Sequence, residues 1–215
     1  MPKPNGGTSV PLKVFISFFN EIDLLPGLVA SVREHIDGSE IIGIDGKFKD
    51  FPMQGSRYQS NDGSDDFFKE ENLRVYGVGL CRNEAAKRNF IFEKVEEGEK
   101  FLYLDADEEV MKFNKDLVEE GLCRLYLRDD DIFLSKRVHT YEDGMRFVTH
   151  SHIIKDNWVV GNMDFKDDIK DKEVALEVRV TREEPRPEMV EYKKRQHIEE
   201  VLTMKALRAK GLRCL

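Results

Sequence analysis

Cysteine is scarce in this chain, and long apolar runs are missing. The three cysteines, Cys81, Cys123 and Cys214, are far apart and odd in number, and none belongs to a CxxC or Cys/His pattern. That usage argues against a disulfide framework and a structural zinc site and fits a reducing compartment. No stretch approaches the roughly 18 apolar residues of a membrane span, so no transmembrane segment is expected. The opening MPKPNGGTSVP is polar, without the apolar stretch of a secretory signal. A soluble, cytoplasmic chain is expected, with residues 1–10 as a flexible tail. Positive charge is also in short supply: 34 Lys and Arg against 42 Asp and Glu leave a net charge of −8. A chain of that sign lacks the basic field that displaces counterions from phosphates, so nucleic acid is not an expected partner. Repeats and low-complexity tracts are absent, and there is a single tryptophan, Trp158.

The 215 residues are enough for one substantial core, and the expectation is a single domain over 1–215. PLKVFISFF (11–19) is continuously apolar and rich in β-strand formers, the pattern of a strand buried on both faces. Leu25, Leu28, Val29, Val32 and Ile36 then recur at helical spacing, with Pro26 suited to a first turn. EIIGID (40–45) reads as a short buried strand ending at Asp45-Gly46. NLRVYGV (72–78) predicts a strand, NEAAKRNFIFEKVEE (83–97) a helix and KFLYLD (100–105) another strand. Strands alternating with helices predict an α/β protein with a mostly parallel, Rossmann-like central sheet flanked by helices.

Beyond residue 110 the pattern changes. DIFLSKRVH (131–139) and RFVTHSHII (146–154), linked through Asp143-Gly144, predict an antiparallel hairpin, and EVALEVRV (173–180) a further strand. Residues 187–210 predict a long charged helix, with Met189, Tyr192, Ile198, Val201, Leu202 and Met204 as docking contacts. The division is then a binding half over 11–110 and a half over 111–215 that completes the sheet and the pocket.

In an open α/β sheet, ligands bind beyond the carboxyl ends of the strands. Three such ends carry polar residues: Asn20-Glu21, Asp45-Gly46 and Asp105-Ala106-Asp107. In EKFLYLDADEEV (99–110) an apolar strand runs straight into acids. Side chains two apart on an extended segment share a face, so Asp105 and Asp107 can both meet one ion. Two hard oxygen ligands suit Mg²⁺ or Mn²⁺, which also bind substrate phosphates. Alternation on RFVTHSHII places Arg146, Val148, His150 and His152 on one face, where two histidines could bind a metal or steady a phosphate.

These pieces, in this order, resemble the family-2-type inverting glycosyltransferases, of the GT-A fold within the nucleotide-diphospho-sugar transferases. The likeness lies in FFNEIDLLPGLVASV, in IIGIDGKFKDFP, in SNDGSDDF, and in KRNFIFEKVEEGEKFLYLDADEEV with its Arg88-Asn89 upstream of the D-x-D strand. It covers about residues 1–110 well and the remainder loosely. It implies a nucleotide-diphosphate sugar as donor, contacted by Asn20, Glu21, Asp45, Lys87, Arg88 and Asp105, and Mn²⁺ or Mg²⁺ at Asp105 and Asp107. It also suggests an Arg-x-x-x-x-x-His element beside the pocket, which Arg146 and His152 fit, adding His152 as a metal ligand. Glu108 and Glu109 are read as turn or supporting residues.

An inverting transfer needs a base for the acceptor hydroxyl. Asp143, which also suits the hairpin turn, and Asp164, with Asp167 and Asp168 nearby, are the candidates. The chain departs from the family in VALEVRVTREEPRP, which has no histidine for a third metal ligand; Arg179 or Arg182 could contact phosphate there instead. The acceptor, whether glycan, lipid or protein, is not indicated. The charged C-terminal helix leaves a homodimer or a peripheral place on a membrane open. A nucleotidyltransferase would need a loop of the type GxGxRxxPxTxxxPK, and FFNEIDLLPG stands there instead. The remaining alternative is a catalytically degenerate relative that binds a sugar or a partner protein.

Overall fold

The computed structural model describes residues 11–49, 58–128, 131–161, 163–164, 173–182 and 187–214. The expected tail over 1–10 and the candidates Asp167 and Asp168 lie outside the described residues. Strand β1 (Lys13–Phe18) leads into helix α1 (Leu25–His35), β2 (Glu40–Phe48), α2 (Ser64–Glu70), β3 (Arg74–Cys81), α3 (Glu84–Arg88) and β4 (Lys100–Asp105). These strands form a sheet in the order β3-β2-β1-β4, all parallel. Because β1 is central, both its faces are buried. Val14, Ile16 and Phe18 pack with Leu25, Leu28, Val29 and Val32 of α1, whereas Phe15 joins Ile42, Ile44, Phe101 and Tyr103 on the opposite face. That two-sided burial explains why the strand reads as one unbroken apolar run. The central place of β1 also sets its end beside that of β4, with Ser17 pairing Asp105, while Phe18 pairs Asp45 within β2.

The rest of the chain is largely antiparallel. Strands β5 (Glu108–Phe113), β6 (Leu122–Arg128) and β7 (Asp131–Lys136) precede β8 (Val138–Thr140), which adds antiparallel to β4 and closes that edge of the central sheet. The short strands β9 (Arg146–Phe147), β10 (Ile153–Lys155), β11 (Trp158–Gly161) and β12 (Met163–Asp164) come next, then β13 (Leu176–Val180). Helix α4 (Pro187–Ala209) and β14 (Arg213–Cys214) complete the described chain. A second sheet has the order β12-β7-β6-β13-β5 and a third β14-β11-β10-β9. The fold is mixed α/β with a parallel-rich central sheet, flanking helices and a C-terminal helix.

Several boundaries differ from the sequence reading. β2 continues through Asp45 to Phe48, with its register against β3 shifting between Asp45 and Gly46. The helix expected over 83–97 is only α3, followed by a 3₁₀ turn at Asn89–Glu93. The hairpin between 131–139 and 146–154 does not form. β7 pairs instead with β6, and Arg137 breaks the run: its backbone N–H turns to Gly121 O at 3.0 Å and its side chain is buried. Nor does 146–154 alternate as one strand. Thr149 Oγ1 accepts the N–H groups of Ser151 and His152, a local side-chain bond that competes with the ladder and folds the segment back. On α4, Tyr192 and Met204 are buried, but Ile198, Val201 and Leu202 face solvent, because the helix docks mainly through polar contacts. Trp158 is 39% exposed, with the Arg213 guanidinium 5.3 Å from its ring centre, and lies away from the strand ends.

Phe68 of α2 is fully buried and stacks on Phe18 of β1 with ring centres 5.0 Å apart. Replacing it with alanine should cost about 3–5 kcal/mol, from lost burial plus a residual cavity. Urea unfolding of Phe68→Ala should show a lower midpoint at an unchanged slope. A loss below about 1 kcal/mol would mean that the α2–β1 contact is not a core contact.

Candidate active site

The strand β4 carries four buried residues, Phe101 to Leu104, into Asp105, after which Ala106 and Asp107 turn the chain into β5. The turn is closed by the Asp105 N–H, which donates to Glu108 Oε2 at 2.8 Å. Two buried arginines hold this tip. Arg88 Nη2 donates to Asp105 Oδ1 at 2.6 Å and to Glu84 Oε1 at 2.5 Å, while Nη1 donates to the His150 carbonyl at 2.6 Å. Arg137 Nη2 donates to Glu108 Oε1 at 2.8 Å, and its Nη1 to Tyr103 O at 3.3 Å. The two guanidinium carbons lie 5.1 Å and 4.8 Å from the Tyr103 ring centre. Charges this deep are tolerated only when paired, and truncating one member of the Arg137–Glu108 pair alone should cost about 3–5 kcal/mol.

The carboxyl groups differ accordingly. Burial alone would raise the Asp105 carboxyl, but Arg88, then Arg137 and His150, hold it below the usual carboxylate range. Asp107 is pushed up, first by burial and then by the negative charge of Asp105, against the smaller pull of Lys193 and Arg182. Burial lifts Glu108 to about 7 despite Arg137. Lys87, 2% exposed, donates to the Phe18 carbonyl at 2.6 Å, and burial brings its ammonium down to about 8.

Two clefts meet at this tip. The first encloses about 750 Å³ of empty space, part of it open to solvent, and is lined by Ser17, Phe19, Glu21, Lys87, Arg182 and Tyr192 among others. The second, of about 800 Å³, is lined by Glu108, Leu125, Arg137, His150, His197 and Glu200 among others. Glu84, Asp105, Asp107, Lys193 and Gln196 belong to both. Helix α4 roofs both clefts. Gln196 Nε2 donates to Glu84 Oε2 at 2.6 Å, Glu200 pairs with His150, and Tyr192 packs on Phe48 with ring centres 5.3 Å apart.

The residues singled out in the sequence divide into two groups. Glu21, Lys87, Asp105 and Asp107 line the first cleft, Glu21 in an ion pair with Arg182, and Arg88 stands immediately behind Asp105. The others lie elsewhere in the fold. Asp45 is buried inside β2 rather than at a strand tip, and its carboxylate takes the Ser60 N–H at 2.9 Å and the Ser60 hydroxyl at 2.6 Å. Asn20, at φ 54°, accepts the Asn61 N–H at 2.9 Å and gives its own N–H to Ser60 Oγ at 2.8 Å. These two residues therefore clip the 60–64 loop to the end of β1. His152 Nδ1 is engaged by the Thr149 hydroxyl at 2.8 Å, outside both cleft linings, because the chain folds back there. Asp143 lies in an exposed turn, accepting the N–H of Gly144 at 3.0 Å. Asp164 sits in β12, whose neighbour in the second sheet is β7.

Glu84, Arg137, Lys193, Gln196 and Glu200 escaped the sequence reading. Glu84 was findable from its i,i+4 spacing to Arg88. Arg137 was visible as a charge inside an apolar run. Lys193, Gln196, His197 and Glu200 form a polar stripe at helical spacing on a helix that was searched for apolar contacts. Among the described residues no group of three or more His, Cys, Asp or Glu is arranged to hold a metal ion. Two carboxylates on one cleft, only one of them in an ion pair, do fit a Mg²⁺ or Mn²⁺ ion that shares its remaining positions with water and phosphate. Asp105 Oδ2 has no partner among the described residues, and a cation beside Asp107 would offset the burial and the Asp105 charge that push its carboxyl up.

No protein-family model matches the chain, and no curated protein matches it. Solved structures are similar over part of it. S. aureus TarS 1-349 is 14% identical over 63% of this chain and 39% of that one, with a TM-score of 0.39. The same protein in complex with UDP-GlcNAc is 15% identical over 57% of this chain and 36% of that one, TM-score 0.39. Glucosyl-3-phosphoglycerate synthase from Mycobacterium tuberculosis, in complex with Mn²⁺, UDP and glucosyl-3-phosphoglycerate, is 15% identical over 55% of this chain and 44% of that one, TM-score 0.38. The chain spans less than half the length of each of these relatives.

The 60–64 loop supplies a pH test. Asp62 accepts the Ile22 N–H at 3.0 Å and the Ser64 N–H at 3.0 Å. Burial would raise its carboxyl, but these donors outweigh burial and bring it below 3.8. A group lowered on folding stabilises the native state above its unfolded value and loses that contribution as pH falls through its folded value. Acid unfolding of Asp62→Ala should therefore show a shallower loss of stability below about pH 4 than the parent chain. Parallel acid limbs would mean that these bonds do not hold the loop.

Proposed function

We propose that this chain is a glycosyltransferase that moves a sugar from a nucleotide-diphosphate donor to an acceptor hydroxyl with inversion. The observation that carries this is the position of Asp105 and Asp107, at the carboxyl end of a parallel strand where two clefts meet. The first cleft has the character of a diphosphate site, with Lys87, Arg182 and Lys193 around the two aspartates. As the glycosidic bond breaks, the departing diphosphate gains negative charge, and fixed cations in a partly closed cleft stabilise it. A divalent ion at Asp105 and Asp107 would add Lewis-acid stabilisation to the same oxygens. Arg88 fixes the Asp105 carboxylate in its ionised form, ready for a cation. Glu21, through Arg182, ties the end of β1 to the segment that follows β13. Leu125, Leu127 and Val180 give the second cleft an apolar wall suited to an acceptor.

A second reading, a degenerate relative that binds a sugar without transferring it, is favoured by one observation: Arg88 already neutralises Asp105. Thermal unfolding with millimolar UDP, GDP, CDP and dTDP, each with and without Mn²⁺, separates the two. Ligand binding to the native state raises Tm by mass action. A transferase should show a shift with one nucleotide that grows with Mn²⁺, and Asp107→Ala should abolish the Mn²⁺-dependent part. No shift with any of the four would overturn the donor reading, and a shift indifferent to Mn²⁺ would favour the degenerate relative.

A further inference from the structure

The second cleft contains a pair of groups that the donor side does not use. His150 meets Glu200 twice: its Nδ1 pairs with Glu200 Oε1, and its backbone N–H donates to the same oxygen at 3.2 Å. A carboxylate only accepts, so Nδ1 carries the proton and the ring lone pair is left on Nε2. Nε2 has no hydrogen-bond partner among the described residues, and the side chain is 28% exposed. The pair is held from behind on both sides. The His150 carbonyl accepts Arg88 Nη1, and Gln196, one helical turn before Glu200, donates to Glu84. His150 thereby shares one frame with Asp105.

Asp105 and Asp107 belong to the donor side of this cleft, and its remaining carboxylates are spent. Glu108 gives one oxygen to Arg137 and the other to Arg137 and the Asp105 N–H, while Glu84 serves Arg88 and Gln196. His197 lines the cleft but makes no side-chain hydrogen bond among the described residues that would orient its ring. An imidazole backed by a carboxylate, with its far nitrogen bare, is the arrangement that general bases require.

We propose that His150 is the general base that deprotonates the acceptor hydroxyl, with Glu200 as its positioning residue. This assignment rests on the transferase reading above. In the step, the acceptor oxygen forms a bond to the anomeric carbon while the bond from that carbon to the phosphate oxygen breaks. The bonding pair leaves with the nucleoside diphosphate, and the acceptor proton passes to His150 Nε2. The Glu200 carboxylate then faces the imidazolium. Glu200 is already drawn below the usual carboxylate range, against burial, by its bonds to His150.

The test has two arms. Two-bond ¹H–¹⁵N spectra of the unliganded chain should show His150 as the Nδ1–H tautomer, and Glu200→Ala should release it to the Nε2–H form. A wild-type Nε2–H tautomer overturns the dyad. In the second arm, release of nucleoside diphosphate from UDP-, GDP-, CDP- and dTDP-glucose is followed with water as acceptor. His150→Asn should lower kcat about 100-fold, with the nucleotide and Mn²⁺ thermal shift unchanged. Glu200→Gln should lower kcat with KM unchanged. An unchanged rate in His150→Asn overturns the proposal. So does loss of its Mn²⁺-dependent shift, which would put His150 on the donor side. A wild-type chain with no nucleotide shift overturns the transferase reading and the base with it, and the tautomer spectrum distinguishes that case from a dyad that does not form.

Discussion

The buried guanidinium of Arg88 is the point on which the rest of the site depends. A positive charge with 2% exposure needs partners, and the two terminal nitrogens of Arg88 find them in Glu84, Asp105 and the carbonyl of His150, while its buried Nε has none among the described residues. Those three partners belong to α3, the tip of β4 and the segment between β9 and β10. Satisfying one cation therefore fixes the relative positions of three parts of the chain. Arg137 repeats the device one layer further in, joining Glu108 to the backbone of β4. Hydrophobic burial alone would not specify this geometry, because apolar contacts have no direction. Directional bonds to buried charges do, and the stability they cost is the condition for a tip held rigid at the cleft.

The parallel half of the fold was legible because its strands are buried on both faces and its first helix is amphipathic. β1, α1 and β4 lie where the apolar runs and the helical spacing put them. The antiparallel half was less legible because polar side chains, not periodicity, decide its course. Arg137 ends a run that alternation would have continued, and Thr149 folds back a segment that reads as one strand. Asp45 shows the same limit at the site: a carboxylate following an apolar run reads as a strand tip, yet its hydrogen bonds to Ser60 turn it inward. Asp105 was legible as the end of an apolar run; Asp107 lines the same clefts through the turn at Ala106-Asp107 and not through alternation on an extended segment. The His150–Glu200 pair was not legible, since no local pattern links residues fifty positions apart.

The asymmetry between the two clefts has a physical basis. The first sets Lys87, Arg182 and Lys193 among the carboxylates of Glu21, Glu84, Asp105 and Asp107. The second sets apolar side chains from the β-rich half against a polar helix face. The acidic tip belongs to both, with Glu84, Lys193 and Gln196 around it, so a change at Asp105 or Asp107 affects both. A change in the 60–64 loop acts on the frame, through the end of β1. Charges placed by strands and loops placed by capping carboxylates thus divide the labour between holding the site and doing its chemistry.

The ties that close the roof also set an order of assembly. Glu84 meets Gln196 across 112 residues, and Glu21 meets Arg182 across 161. Contacts of such separation form only after the loop between them has lost its freedom, which makes them late events in folding. The roof of the pocket is built from the part of the chain furthest in sequence from the strands beneath it, so the site is whole only when both ends are held together.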